Sequence, residues 1–261
     1  MIWPRPKRRL LSIDDAAWRG LDADLPWLRR LDATRTARLR DLVATFLSTK
    51  TISGADGLVP TDRMRLLIAA QACLPVLRLG LEPYEDFVEI VVYPASFAVH
   101  RRITDEDGLV HEFDDVLAGE AMHRGPVVLS WDDVAGDDRD PMVNVVIHEF
   151  AHKLDMSDGE ADGCPPMPAA ERAGWLDAIG EAYDDFVDAL DRVESSIPHD
   201  IDPESEEADA FYARLPLDPY AATDIAEFFA VATEVHFLEP ERLHDAFPRL
   251  AVAFERYFAP R

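Results

Sequence analysis

The chain has 261 residues, 26 of them basic and 51 acidic, for a formal net charge of −25. That balance argues against nonspecific binding to nucleic acid or to an anionic membrane, and no stretch approaches the roughly 18 apolar residues of a membrane span. A hydrophobic content of 48% allows a substantial core in one large domain or two small ones. Cys73 and Cys164 stand far apart and outside any C-x-x-C pattern, so a reducing compartment fits better than a disulfide scaffold. The basic N-terminus is not followed by an apolar segment of about 7–15 residues, so it does not read as a signal peptide, and a cytoplasmic location is expected.

Residues 1–33 mix Trp3, Trp18 and Trp27 with prolines and charges, and are expected to pack as an irregular arm on a single domain spanning residues 1–261. Residues 34–50 put Leu39, Leu42, Val43, Phe46 and Leu47 on one helical stripe. A second helix is expected over 61–74, with Thr61 or Asp62 as its cap and Cys73 as a small buried side chain. Residues 86–93 read as a strand ended by Pro94, and 126–131 as a short apolar strand. That second strand could border a cleft and pair with an extended substrate backbone. Residues 95–125 are harder to assign, and their His100, His111 and His123 are expected to be solvated. So is His199, in the acidic stretch near 198–210.

Helices are also expected over 169–195, 221–237 and 246–258, with loops at 156–168 and 196–219. Thr223 or Asp224 can cap the helix over 221–237. The fold class is therefore α+β, mostly helical, with a small mixed sheet beside the helix that carries the chemistry.

That helix lies in NVVIHEFAHKLD, residues 144–155. His148 and His152 are four apart, so both imidazoles lie on one helical face and can reach one metal ion. Glu149, one position from the first histidine, can hold a water beside the ion. This is the physical content of H-E-x-x-H, a motif of zinc hydrolases of the peptide bond. The apolar frame of Val145, Val146, Ile147, Phe150, Ala151 and Leu154 implies burial, where the polar groups need a partner such as a cation.

Catalytic zinc takes three protein ligands and leaves one position for water. The third ligand is expected from the helix over 221–237, where Glu227 and Glu234 are seven apart on one face, with Glu227 favoured. Glu234, Asp155 and Asp224 are candidates to orient a ligand histidine, although Asp155 could equally shape the turn after its helix. The reading is a zinc peptidase with Glu149 as general base and Tyr220 as oxyanion donor, Tyr212 being the weaker alternative.

HEFAHKLD at 148–155 together with DPYAATDIAEFFAVATE at 218–234 resembles the Mlc titration factor A family of bacterial zinc peptidases. LPVLRLGL at 74–81, VVYPASF at 91–97 and GPVVLSW at 125–131 extend the resemblance. It implies a cytosolic, zincin-like, zinc-dependent peptidase, aminopeptidase-like in activity, with a core related to the catalytic domain of anthrax lethal factor. It implies His148, His152 and Glu227 as ligands of one catalytic zinc, Glu149 as base and Tyr220 as transition-state donor. It also implies a peptide or protein substrate and a repressor of the Mlc type as partner. The rival reading is a regulatory binding protein that sequesters such a repressor, with the metal mainly structural.

Overall fold

The computed structural model describes residues 12–104, 110–135, 143–203, 205 and 207–259. Trp3 and the side chains of His100 and His111 lie outside what is described, as do parts of the loop after residue 135 and of the acidic stretch at 198–210. The chain divides into two compact units, Met1–Arg139 and Asp140–Arg261.

The first unit begins with α1 (Asp15–Arg19) and α2 (Ala33–Thr49), capped by the side chains of Asp14 and Asp32. Trp18 and Trp27 are buried. On α2 the buried residues Leu39, Val43 and Phe46 fall at i, i+4 and i+7. Then come β1 (Thr51–Gly54), α3 (Asp62–Ala72), β2 (Glu89–Tyr93), β3 (Phe97–Thr104), β4 (Val110–Leu117), β5 (Gly119–Ala121), β6 (Val127–Ser130) and α4 (Trp131–Ala135). Thr61 caps α3 by accepting from the Met64 amide, and α3 packs on α2. Cys73, just after α3, is fully buried.

The main sheet has the order β1-β2-β6-β5, with β1, β2 and β6 parallel and β5 antiparallel to β6. It is the small mixed sheet anticipated from the sequence. β6 is buried along its whole length, as suits a strand with neighbours on both sides. One edge of β6 bonds to β2, from Ile90↔Val127 to Tyr93↔Ser130, and the other to β5, from Ala121↔Val127 to Gly119↔Leu129. This corrects the expectation that the strand over 126–131 pairs with a substrate backbone, because its hydrogen-bonding groups are already used on both sides. Residues 95–125, unassigned from the sequence, hold the antiparallel β3–β4 hairpin. His123 is exposed, as expected.

The second unit is helical: α5 (Val145–Asp155), α6 (Ala169–Glu194), α7 (Asp209–Tyr212), α8 (Ile225–Leu238), α9 (Pro240–Ala246) and α10 (Pro248–Phe258). α7 interrupts the loop expected over 196–219. α9 was not anticipated either, although the proline at its first position is a helix-start signal. The core is aromatic. Trp175 of α6 stacks on Phe254 of α10 with centroids 5.1 Å apart, and Phe229 of α8 packs edge-on to Phe254 at 5.8 Å. Phe228, fully buried on α8, meets Tyr183, Phe186 and Phe247. No helix among the described residues is long and apolar enough to cross a membrane.

Candidate metal centre

α5 and α8 pack against each other, and each is held at its first turn by an acceptor side chain. Asn144 caps α5, its Oδ1 accepting from the Ile147 amide at 2.9 Å. Asp224 caps α8, its Oδ1 accepting from the amides of Ala226 at 2.8 Å and Glu227 at 3.0 Å. Glu227 is therefore in the first turn of α8, its amide capped by Asp224 and its carboxylate turned toward α5. Of the two caps expected for this helix, Thr223 and Asp224, it is Asp224 that accepts from its first amides.

The carboxylate of Glu227 meets both histidines. Its Oε2 lies 3.0 Å from His148 Nε2 and 3.1 Å from His152 Nε2, while the two Nε2 atoms are 3.2 Å apart. The other nitrogen of His148 is also held: Nδ1 lies 2.8 Å from Glu234 Oε1. The second oxygen of Glu234 accepts from the backbone amide of Asn144. Glu234, two turns beyond Glu227, thus ties the His148 ring to the start of its own helix. Of the two carboxylates proposed from the sequence as third ligand, Glu227 faces the histidines and Glu234 orients one of them.

These positions fit a metal. With its Nδ1–H directed to Glu234, neutral His148 presents a bare lone pair at Nε2. That lone pair points at a carboxylate oxygen and at the second imidazole nitrogen. Three such donors repel one another unless a cation lies among them, and a single proton bridges only one pair. Zinc with bond lengths of about 2.0–2.1 Å in a tetrahedron would separate its donors by about 3.3 Å, close to the three distances found here. His148, His152 and Glu227 are the metal-capable cluster found among the described residues.

The electrostatics agree. Burial opposes a charge on His148, but the carboxylates of Glu227 and Glu234 outweigh it and hold its pKa well above the ordinary histidine value. Burial likewise opposes the charge on Glu227, yet its contacts with His148 and His152 hold it below the ordinary carboxylate range. Both shifts arise from attraction between the carboxylates and a positive charge at His148, a charge that a bound cation would supply in place of the proton.

The remaining sequence candidates are placed as follows. Glu149 is buried on α5, and burial pushes its carboxyl up to about 7. Tyr220 lies in a 3₁₀ turn, Pro219–Ala222, opened by Asp218; its ring centroid is 6.0 Å from that of His148, and the residue is 49% exposed. Tyr212 lies on α7. Asp155 accepts from the Gly163 amide at 2.8 Å, a bond that shapes the loop after its helix. Asn144 escaped the sequence reading, although an asparagine directly before an apolar helical run is a cap signal.

An α+β protein in which H-E-x-x-H and a glutamate of a second helix form a metal-capable cluster is the class that fold and site define. A profile of the family described as "Glucose-regulated metallo-peptidase M90" matches residues 3–259, and the chain belongs to that family. Among curated relatives, the Mlc titration factor A of Serratia proteamaculans is 37% identical over 257 residues, covering 98% of this chain and 91% of the relative. That of Klebsiella pneumoniae (strain 342) is 36% identical over 246 residues, covering 91% and 86%. That of Salmonella gallinarum is 34% identical over 257 residues, covering 98% and 90%.

These findings correct the enzymatic part of the sequence reading. The relatives are named for titrating Mlc, and the cluster demonstrates a capacity to hold a metal. The family's description speaks of a metallo-peptidase, which names the family and not an activity of this chain. The expectation of a zinc peptidase, a hydrolase of aminopeptidase type, therefore gives way to the regulatory alternative. The physical reason is that His-x-x-x-His spacing and a third donor show where a metal can be held, and donor placement alone does not establish turnover. H-E-x-x-H reports helical geometry, and turnover is a separate property.

Proposed function

We propose that this protein is a regulatory binding protein that sequesters a transcriptional repressor of the Mlc type, with a zinc ion held mainly for structure. The observation that carries the reading is the near-full-length likeness to proteins named for that titration, over 98% of this chain in the Serratia case. The same coverage supports treating residues 1–261 as one functional unit. A partner that is a transcriptional regulator, and two buried free cysteines, favour the cytoplasm.

His148, His152 and Glu227 would hold the zinc. When bound, the ion would supply a cross-link between α5 and α8 and a positive charge to balance the Glu227 carboxylate. Glu234 would keep the His148 ring turned toward it, and Asn144 would hold Glu234. The catalytic roles considered for Glu149 and Tyr220 belonged to the hydrolytic reading and are not carried forward.

The test mixes the purified full chain with an Mlc-type repressor from the same organism, bound to a labelled operator fragment. The expected result is a stoichiometric protein complex by sedimentation, together with release of operator DNA. A repressor that stays on its operator at micromolar concentrations of this protein, with no complex formed, would refute the proposal.

A further inference from the structure

The loop between α5 and α6 carries a residue, Gly163, that touches both helices that carry the metal donors. Gly163 has φ +73, in the left-handed region that suits glycine. Its amide donates to Asp155 Oδ2 at 2.8 Å, one turn beyond His152 on α5. Its carbonyl accepts from Trp175 Nε1 at 2.8 Å, on α6. A Cβ at this position would lie 2.9 Å from the carbonyl oxygen of Ile225 and 3.1 Å from its Cγ1. Ile225 opens α8, two residues before Glu227. The backbone of Gly163 is thus wedged between the end of one donor helix and the start of the other, with α6 behind it.

The surroundings make this contact stiff. Trp175 is stacked on Phe254 and packed near Phe229 and Tyr257, so its indole N–H cannot shift without moving the aromatic core. Asp155 is fully buried. The loop on either side of Gly163 is anchored as well: Asp162 accepts from the Cys164 amide at 3.0 Å and from Arg172 at 3.0 Å. The donor atoms of His148, His152 and Glu227 converge within 3.0–3.2 Å of one another, so a small change in the separation of α5 and α8 would move them out of reach of a common ion.

We propose that Gly163, clamped by Asp155 and Trp175, is a positioning residue for the metal centre: it sets the spacing between the histidine-bearing helix and the glutamate-bearing helix. The inference rests on the zinc reading above. Its role differs from that of Glu234, which orients one ring, because Gly163 touches no ligand and acts through backbone placement.

The test uses the full chain as wild type, Gly163→Ala and Trp175→Phe, with Leu190→Ala on α6 as a destabilised control away from the loop. Zinc dissociation constants are measured by competition with a chromophoric chelator, and the visible absorption of the cobalt-loaded proteins reports donor geometry. Gly163→Ala is expected to weaken zinc at least about tenfold, the scale of changes just outside a coordination sphere, and to alter the cobalt spectrum. Trp175→Phe should shift both in the same direction by less, and decides the matter if Gly163→Ala does not fold. Leu190→Ala should melt earlier yet keep the wild-type affinity and spectrum. Affinity and spectrum unchanged in the Gly163 and Trp175 variants, or altered equally in the Leu190 variant, would overturn the proposal. A wild-type chain that binds no stoichiometric zinc would instead remove the metal reading itself.

Discussion

Glu234→Gln isolates what the buried carboxylate behind His148 contributes. In the structure two N–H groups converge on that one side chain, His148 Nδ1–H on one oxygen and the Asn144 amide on the other. Glutamine keeps the size but offers one acceptor oxygen, and turns its NH₂ toward whichever donor the oxygen does not serve. One buried donor then loses its partner, which costs about 1–3 kcal/mol. If the oxygen stays with Asn144, His148 loses the anion that fixes its tautomer and makes its other nitrogen a better donor. Zinc affinity should then fall about 10- to 100-fold, equivalent to about 1.4–2.7 kcal/mol. The assay is chelator competition on purified wild type and variant at one pH, with urea unfolding of the metal-free proteins run beside it. An affinity within twofold of wild type, in a variant that loses no stability, would refute the reasoning, since neither oxygen of Glu234 would then be performing the function the distances imply.

Chelation should lower the melting temperature of the wild-type protein, and zinc at about a hundred times its dissociation constant should stabilise it by about 2.7 kcal/mol; His152→Ala should show neither effect in a thermal scan. Asp224→Ala removes the acceptor for the first amides of α8 and should cost about 1 kcal/mol in urea unfolding, with weaker zinc binding because Glu227 sits in that turn. Acid should destabilise the second unit through His236. Burial against Phe237, Phe254 and Phe258 pushes its pKa down from 6.5 to about 4. The neutral ring stabilises the fold fully above pH 6.5, and that contribution is lost as pH falls toward 4, because the unfolded chain takes up the proton first. The loss is on the order of 3 kcal/mol. His236→Phe should therefore flatten the dependence of the urea midpoint between pH 7 and pH 4, and an unchanged slope would count against it.

Local chemistry was readable along the chain. The i, i+4 histidines, the apolar stripe of α2, the apolar runs of α5 and α8, and the caps, narrowed to Thr61 or Asp62 and to Thr223 or Asp224, depend on neighbours within about one helical turn, so spacing brings them into view. Even the third ligand could be narrowed to Glu227 or Glu234, because a carboxylate in an apolar helix needs a cation nearby. What these features do was less legible. The motif suggested hydrolysis, yet spacing on a helix describes where donors point, and the near-full-length relatives favoured a regulatory role.

The tertiary structure decided what depends on residues far apart in sequence. Glu227 is 79 positions from His148, and the packing of α8 on α5 brings both it and Glu234 to that ring, Glu227 to Nε2 and Glu234 to Nδ1. β6 looked like a strand open to a partner, but its neighbours β2 and β5 close both edges, and strand order is a long-range property that a four-residue pattern cannot encode. Gly163 stood in a polar loop with nothing to mark it. Its place between two helices arises because a backbone without a Cβ can enter a gap that only the folded chain creates. Local periodicity therefore determined which side chains could bind, while the packing of distant helices determined which of them meet.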